Sequence, residues 1–495
     1  MSDEQRSQRG WIGDPNPSST LCRGTSSGAG EGAAPETDPL SALPLLLRHG
    51  RDAVSFQALE SHMRHWRDAP APDGTGALVA YCDTGSAWIA GGGPLAGDDD
   101  LARAADRFAA AARAAGRRAS FFASESSGAL AGFDTLFLGE QPLFHPGRWV
   151  ASLPGRRRLR EQLRRARAKG VSVRLVMPDE LAPGSPLRGA VEELAAEWLG
   201  SRRMEPMSFL VALEPFHAPD EHRYVVAEQR GRLVGFLSAV PIYARRGWLV
   251  EDVLRGARAP NGTSETLLDA LMRDVADSEL VTLGLAPLSG PISRWQRLVR
   301  YLTRPLYDFR GVRAFKERLR PVAWEPVWLA FPRGEAAALH LADGLRAFAG
   351  GSLVRFGIRS MVRHPGGPPW LLALPLAPWT VILAARAALG YVQLLGWTRP
   401  VLAAWAGFDA LLCYALFRTA LRPTVGRLVV AAAAAAADAA LSLHHLVASG
   451  PGDTAVQALF RATQTCAPVF GTAALLWAAT RAARDERFDA ARRRE

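Results

Sequence analysis

The chain has 495 residues, 48% hydrophobic and 22% charged, with 46 glycines and 34 prolines. This excludes a wholly disordered, collagen-like or coiled-coil protein and gives room for two or three domains. A formal net charge of +11 points to polyanionic partners, and four dispersed cysteines (Cys22, Cys82, Cys413, Cys466) argue against a thiolate zinc site or a disulfide scaffold.

Residues 1–42 are expected to be a disordered tail, rich in Ser, Gly, Pro and acidic groups, with no signal-peptide run after Met1. From about Leu43 to Phe331 the pattern is that of a soluble α/β protein. Strands are predicted at Ala77–Cys82, Ala87–Ala90, Arg118–Ala123 and Thr135–Leu138, around an Ala-rich helix at Asp99–Ala115. A basic helix then spans residues 151–170, where Arg156, Arg157, Arg158, Arg160, Arg164, Arg165, Arg167 and Lys169 face the single Glu161. Leu159, Leu163 and Ala166 keep a narrow apolar stripe for docking. Such charge density exceeds what solubility needs and favours binding of phosphates, from RNA or lipid headgroups, over a plain linker helix.

The second half predicts strands at Val171–Met177, Tyr224–Ala227 and Leu233–Val240, the last two joined through the turn Gln229–Arg232. Trp248–Val253 follows as a strand, Ser264–Ser278 as a helix with Leu267, Leu268, Leu271, Met272 and Val275 on one face, and Leu280–Leu285 as a strand. A hairpin, strand, helix and strand in this order is the grammar of the GNAT-type acyltransferase fold, and a fold alone names no reaction.

Residues 336–369 read as a basic juxtamembrane connector, and residues 370–480 as a transmembrane domain of four spans: Leu371–Leu395, Val401–Phe417, Leu428–Ala448 and Ala462–Thr480. Arg355, Arg359 and Arg363 precede the first; Arg418, Arg422 and Arg427 separate the second and third; Arg481, Arg484, Arg487 and Arg492–Arg494 follow the fourth. The other two loops hold Arg399 and Arg461, so the bias places both termini in the cytoplasm, with 481–495 as a charged tail. Asp409, Asp438, His444 and His445 are the costly intramembrane groups, read first as interhelical glue.

Several motifs resemble the catalytic region of the aminoacyl-phosphatidylglycerol synthases of the multiple-peptide-resistance-factor type. They are His49-Gly-Arg-Asp52 with Ser55-Phe56, the basic helix, Asp252-Val-Leu-Arg255, Ala259-Pro-Asn-Gly-Thr263, Leu283–Leu288, Leu306-Tyr-Asp-Phe-Arg-Gly311, Phe315-Lys-Glu-Arg318 and Trp324-Glu-Pro326. The resemblance covers about Leu45–Phe331. It implies an α/β (α+β) fold of tandem GNAT-like domains, 43–150 and 171–335, joined by the basic helix. It also implies a transferase that moves an amino acid such as lysine or alanine from aminoacyl-tRNA to the hydroxyl of phosphatidylglycerol, a function tied to antimicrobial peptide resistance. Full-length family members carry a multi-span flippase before this region. Here four spans are expected after it, which leaves lipid export by this polypeptide and its exact acceptor open, and a separate flippase is a possible partner.

The resemblance implies Asp252, Arg255 and Lys316 as catalytic residues. Lys316 is one of only two lysines among 59 basic residues, and a compact ammonium suits a tight phosphate or carbonyl contact. The alternative for Asp252 and Arg255 is a structural ion pair. Asn261, Gly262, Thr263, Glu265, Tyr307, Arg310 and Arg318 are expected to bind substrate, and Arg157, Arg160, Arg164 and Arg167 to hold tRNA or phosphate. Thr263 or Ser264 is predicted as helix N-cap. Arg258–Thr263 does not fit the Q/R-x-x-G-x-G/A loop that cradles acyl-CoA, and Pro260 removes an amide donor, which disfavours CoA. No HExxH, P-loop, G-x-S-x-G or zinc spacing occurs, so no metal or cofactor is expected. Two alternatives stay open: an acyl-CoA-dependent N-acyltransferase, and a non-catalytic lipid-binding partner of a flippase.

Overall fold

The structure, a computed structural model, describes residues 38–68, 76–125, 128, 130–202, 204–302, 307–389, 398–449 and 455–494. The expected disordered tail lies outside the described residues up to residue 37. From Pro39 the chain is already ordered, as a 3₁₀ turn leads into α1 (Leu43–His49), with Ala42 and Leu46 fully buried. Two compact units result: one runs to Leu353 apart from residues 203–205, and the other takes those three residues and everything from Val354 onward.

The first unit is built on one mixed sheet of twelve strands. In its first half β1 (Arg64–Arg67), β2 (Leu78–Asp83) and β3 (Ala87–Gly91) form an antiparallel meander. Helix α2 (Leu101–Ala114) crosses over, and β4 (Arg118–Ser124) returns parallel to β3. The long strand β5 (Phe133–Phe144) follows, then α3 (Trp149–Ser152) and the basic helix α4 (Arg157–Ala168). Leu159, Leu163 and Ala166 of α4 are buried, as their stripe predicts, while Arg157, Arg160, Arg164 and Arg167 face out.

The second half repeats the pattern. β6 (Val171–Val176) is followed by α5 (Pro186–Gly200), a helix absent from the expected elements, and then by β7 (Arg223–Gln229), β8 (Arg232–Ile242) and β9 (Gly247–Arg255), all antiparallel. At the β7–β8 turn Arg230 and Gly231 both take positive φ, 52° and 73°, the geometry that suits a two-residue hairpin. Helix α6 (Thr263–Asp274) crosses over and β10 (Leu280–Thr282) returns parallel to β9. The α6 face Leu267, Leu268, Leu271 and Met272 is at most 1% exposed, and each such side chain stabilises by about 1.5–3 kcal/mol.

The two halves share their last strands. After β11 (Ala286–Pro287), α7 (Arg294–Leu302) and α8 (Phe309–Arg318), strand β12 (Ala323–Pro332) inserts between β4 and β5, while β5 reaches across to β10. This is the tandem GNAT-like architecture expected from the sequence, closed by α9 (Ala337–Phe348). β5 is far longer than the predicted Thr135–Leu138, because Gly139 and Pro142 mask its continuation. Gly139 lets the strand pass β11 closely: a Cβ there would lie 2.4 Å from the Ala286 carbonyl oxygen.

The second unit contains α10 (Leu353–Arg363), α11 (Gly367–Leu389), α12 (Arg399–Leu421), α13 (Val425–Ser449) and α14 (Ala455–Arg494). Among the described residues three helices are long and apolar enough to cross a membrane: Gly367–Leu389, Arg399–Leu421 and Val425–Val447, with mean hydropathies of 1.6, 1.6 and 1.5. The expected fourth segment, Ala462–Thr480, is not among them. It lies within the 40-residue α14, where Gln464, Pro468 and Thr472 dilute its hydropathy. Small residues such as Ala431, Ala432, Ala478 and Ala479 pack inside, while Val381, Leu411, Val430 and Phe470 face outward, as lipid-facing helices require. Asp409 and Asp438 are buried and form no ion pair with Arg386 among the described residues.

Candidate active site

The sheet opens at one place in the second half. β9 and β10 pair only as far as Leu249 and Thr282; beyond them the chain stays with β5, through Ala286 and Pro287, and leaves β9. β9 also bulges there: Ser238 pairs with Asp252 and Ala239 with Val250, which leaves Glu251 as the extra residue. A wedge therefore opens between residues 250–255 and 283–287. For the same reason the predicted strand Leu280–Leu285 stops at Thr282.

At the equivalent place in the first half a carboxylate bridges the two strand ends. Beyond β3 and β4 the buried Asp52 carboxylate fills the gap, accepting from the Gly93 N–H at 2.5 Å and from the Glu125 N–H at 3.0 Å. A Cβ on Gly92 would come within 2.9 Å of that carboxylate.

Asp252 stands on the β9 side of this wedge. Its Oδ2 accepts from the Ser238 hydroxyl at 3.1 Å, and no ion pair joins it to Arg255 among the described residues. Burial, and then the neighbouring Glu251 carboxylate, push the Asp252 carboxyl well above the usual carboxylate range. Arg255 ends the strand, half-buried, its backbone opposite Gly235. Lys316, 8% exposed, borders the wedge from α8: its Nζ donates to the Gly284 and Leu285 carbonyls at 2.8 and 2.9 Å. Burial lowers its pKa to about 7. Two of its three donors thus hold the departing backbone rather than reach an open surface.

The turn before α6 differs from its expected form. Gly262, at φ 97°, occupies the N-cap, and Thr263 is fully buried with its hydroxyl donating back to the Pro260 carbonyl at 2.7 Å. The glycine is required because α4 lies on this turn: a Cβ would sit 2.3 Å from the Gln162 carbonyl oxygen. Asn261 stays exposed. The helix start that cradles a pyrophosphate in acyl-CoA enzymes is here covered by another helix.

Alongside it, a cavity of about 410 Å³ brings Arg157 of α4 together with Glu265 of α6 and Arg318 of α8, joined by Arg158, Arg165 and Phe315. Arg160, Arg164 and Arg167 do not line it. Arg164 is tied to Glu161 at 3.0 Å, and Arg167 lies 3.7 Å from Asp269. Arg310 is exposed on α8, and Tyr307 packs on Phe309, its hydroxyl pKa raised by burial.

A second cavity, of about 370 Å³, was not foreseen as a site. It is lined by Arg51, Asp52, Glu125, Arg245, Glu325 and Pro326. Arg245 bridges Glu125 at 2.6 Å and Glu325 at 2.8 Å. Burial, and then the Asp52 carboxylate, raise the Glu125 pKa to about 7. Asp52 and Glu325 belong to the family-like motifs; Glu125 and Arg245 do not, and only long-range pairing brings them in. The 3₁₀ turn Ala53–Leu59 links this cavity to the wedge, since Gln57 donates to Glu251 at 2.8 Å.

Residues 44–331 match the family model described as phosphatidylglycerol lysyltransferase, C-terminal. The lysylphosphatidylglycerol biosynthesis bifunctional protein LysX of Gordonia bronchialis is 27% identical over 291 residues, 53% of this chain and 24% of that protein. The phosphatidylglycerol lysyltransferase of Bacillus subtilis is 24% identical over 160 residues, 30% of this chain and 18% of that one. The chain thus spans about a quarter or less of these curated relatives. The L-PGS structure from Bacillus licheniformis superposes with a TM-score of 0.55 at 21% identity, covering 64% of this chain and 99% of that one.

Proposed function

The chain belongs to the phosphatidylglycerol lysyltransferase C-terminal family, and on that premise we propose that it transfers an amino acid from aminoacyl-tRNA to the hydroxyl of phosphatidylglycerol or a related lipid. The observation that carries this reading is the parting of β9 from β10 beside Asp252, with the adjoining α6 start covered by α4. A covered helix start disfavours acyl-CoA, and the outward arginines of α4 suit an RNA backbone.

In this reading the lipid hydroxyl oxygen attacks the ester carbonyl carbon of the charged tRNA. The new lipid–acyl C–O bond forms as the bond to the ribose oxygen breaks. Asp252 takes the hydroxyl proton, which then passes to the departing ribose oxygen. Its raised pKa makes it a stronger base than an ordinary carboxylate. Arg255 meets the lipid phosphate through its planar fork. Lys316 is a positioning residue that holds the Gly284–Leu285 backbone. The carboxylate-rich cavity at Asp52 and Glu325 suits the ammonium of the aminoacyl group.

The acceptor is a membrane lipid, and α7 is built for that surface. Gln296 and Arg300 anchor it to the Phe137 and Leu288 carbonyls, while Trp295, Leu298 and Tyr301 stay 45–68% exposed. The second unit anchors the protein as a multi-pass membrane domain, with both termini and the transferase unit in the cytoplasm.

The test is transfer of a labelled amino acid from charged tRNA to phosphatidylglycerol in detergent micelles, with acetyl-CoA as control donor. Asp252→Asn lowers transfer by about 10²–10⁴ with tRNA binding little changed, and Arg255→Lys raises the apparent KM for lipid. Full activity of Asp252→Asn discards the site. Transfer from acetyl-CoA alone discards the reaction, and lipid binding without any turnover points instead to a flippase partner.

A further inference from the structure

Behind the β9 bulge, three metal-ligating side chains converge in a part of the molecule that the transfer chemistry does not use. A ring nitrogen of His217, a ring nitrogen of His222 and a carboxylate oxygen of Glu251 all lie within 4.8 Å of one another. His222 is 2% exposed, and the Glu251 side chain is 8% exposed. His217 is half-buried beside them.

The orientation of each group is fixed from outside. His217 Nδ1 lies 2.6 Å from the Glu214 carbonyl oxygen, and His222 Nδ1 lies 3.1 Å from that of Ala218. An Nδ1–H donating to a carbonyl leaves the Nε2 lone pair free for a metal, the arrangement found around ligating histidines. Gln57 donates to Oε1 of Glu251 at 2.8 Å and so leaves Oε2 for the histidines. Ala218, between the two histidines, is held at φ 43°, a left-handed conformation unusual for alanine.

The inward atoms do not satisfy one another. His222 Nε2 and Glu251 Oε2 stand 3.5 Å apart, beyond a well-formed charge-assisted hydrogen bond. Both atoms, and His217 Nε2, are buried without a hydrogen-bond partner among the described residues. Around them Phe56 packs edge-on to His222 at 5.3 Å, and Tyr224 stacks on it at 5.2 Å, an apolar wall that strengthens any charge held inside. A plain imidazolium–carboxylate pair would account for His222 and Glu251 and leave His217 Nε2 without a role.

We propose that His217, His222 and Glu251 form a divalent transition-metal site of the zinc class. Two neutral imidazoles and one carboxylate are a donor set that zinc accepts, with water in the fourth position, whereas calcium and magnesium require shells of oxygen. Tetrahedral binding at about 2.0–2.1 Å per bond brings the donors to roughly 3.3 Å from one another. His222 and Glu251, at 3.5 Å, are already near this, and side-chain torsions supply the at most ~1.5 Å that the other pairs need. The bound ion ties the segment before β7 to the β9 bulge, one residue from Asp252. It is a positioning site for that bulge.

The experiment uses the full chain purified in detergent, stripped with a chelator and dialysed against zinc, with metal counted by mass spectrometry. The expected result is about one equivalent per chain. Cobalt(II) in the same preparation gives the intense visible bands of a tetrahedral site. His217→Gln, the half-buried and therefore better tolerated change, weakens zinc binding about 100-fold or more and abolishes those bands. His145→Gln, an exposed histidine elsewhere, leaves both unchanged. Zinc raises the thermal midpoint of the native chain but not of His217→Gln, and circular dichroism of that variant keeps loss of a ligand distinct from loss of fold. Substoichiometric zinc, binding undiminished in both His217→Gln and His222→Gln, or equal competition by magnesium overturns the proposal. The readouts are independent of transfer activity, so this site and the transferase reading fail separately.

Discussion

Lys316 is buried at the edge of the wedge, and its pKa of about 7 lies below the 10.5 of a free lysine. Between those values the unfolded chain binds a proton that the folded chain does not, so folding stability rises as pH rises from about 7 toward 10.5. The contribution is a few kcal/mol at most, since a tenfold change in proton affinity is worth about 1.4 kcal/mol. Lys316→Met removes the rise: unfolding midpoints at pH 7.5 and 9.5 should converge in the variant and differ in the native chain. Equal pH slopes in both would show that the lysine keeps its proton in the fold. Residues of this kind are only partly legible in the sequence. Lys316 stands out as a rare lysine inside a motif, yet its partners, the Gly284 and Leu285 carbonyls, depend on where β10 leaves β9. Glu125 and Arg245, 120 residues apart in sequence, meet only through the sheet. His217 and His222 have a spacing, H-x4-H, that zinc histidines use, but no nearby cysteine or other ligand completes the set; the third ligand comes instead from a strand bulge further along the chain.

Helices and hairpins are legible because their signals are local. The α6 face, the α4 stripe and the Gln229–Arg232 turn each follow from a few neighbouring residues. Strand partners are not local, so the exchange of β5 and β12 between the halves carries no sequence signal. The same distinction refines what α4 does. Its arginines look equivalent as a run, but Arg157 lines the cavity with Arg318 and Glu265, Arg160 is exposed without a carboxylate neighbour among the described residues, and Arg164 is already held by Glu161. Removing one arginine–phosphate pairing should lower the log–log salt slope of tRNA binding by about 0.7–0.9. Arg157→Gln and Arg160→Gln should each do so, with Arg164→Gln closer to neutral. Filter binding between low and moderate salt measures this, and an unchanged slope in the first two variants would make α4 a linker only.

At the scale of the whole molecule, the number of bilayer crossings in the second unit decides where its C-terminus lies. Three helices meet the length and hydropathy of a span, and an odd number would put the C-terminus opposite to residue 365. The charges argue for an even number. Arg355, Arg359 and Arg363, then Arg418, Arg422 and Arg427, then the arginines from Arg481 onward share one side only if α14 also crosses. Its length permits this: 40 residues at 1.5 Å each reach about 60 Å, twice a hydrocarbon core of roughly 30 Å. Its apolar middle, Ala462–Thr480, then crosses, and its charged end emerges beside the other basic loops. Reporter fusions after residue 365, at Thr424 and at the C-terminus should therefore all report cytoplasm, and a fusion at Pro451 the opposite side. A C-terminal reporter on the same side as Pro451 would reduce the domain to three spans, and a cytoplasmic Pro451 would remove the four-span arrangement altogether. Deleting the charges at Arg481, Arg484 and Arg487 provides the control, since it should weaken the retention of α14's end in the cytoplasm while leaving the earlier fusions unchanged.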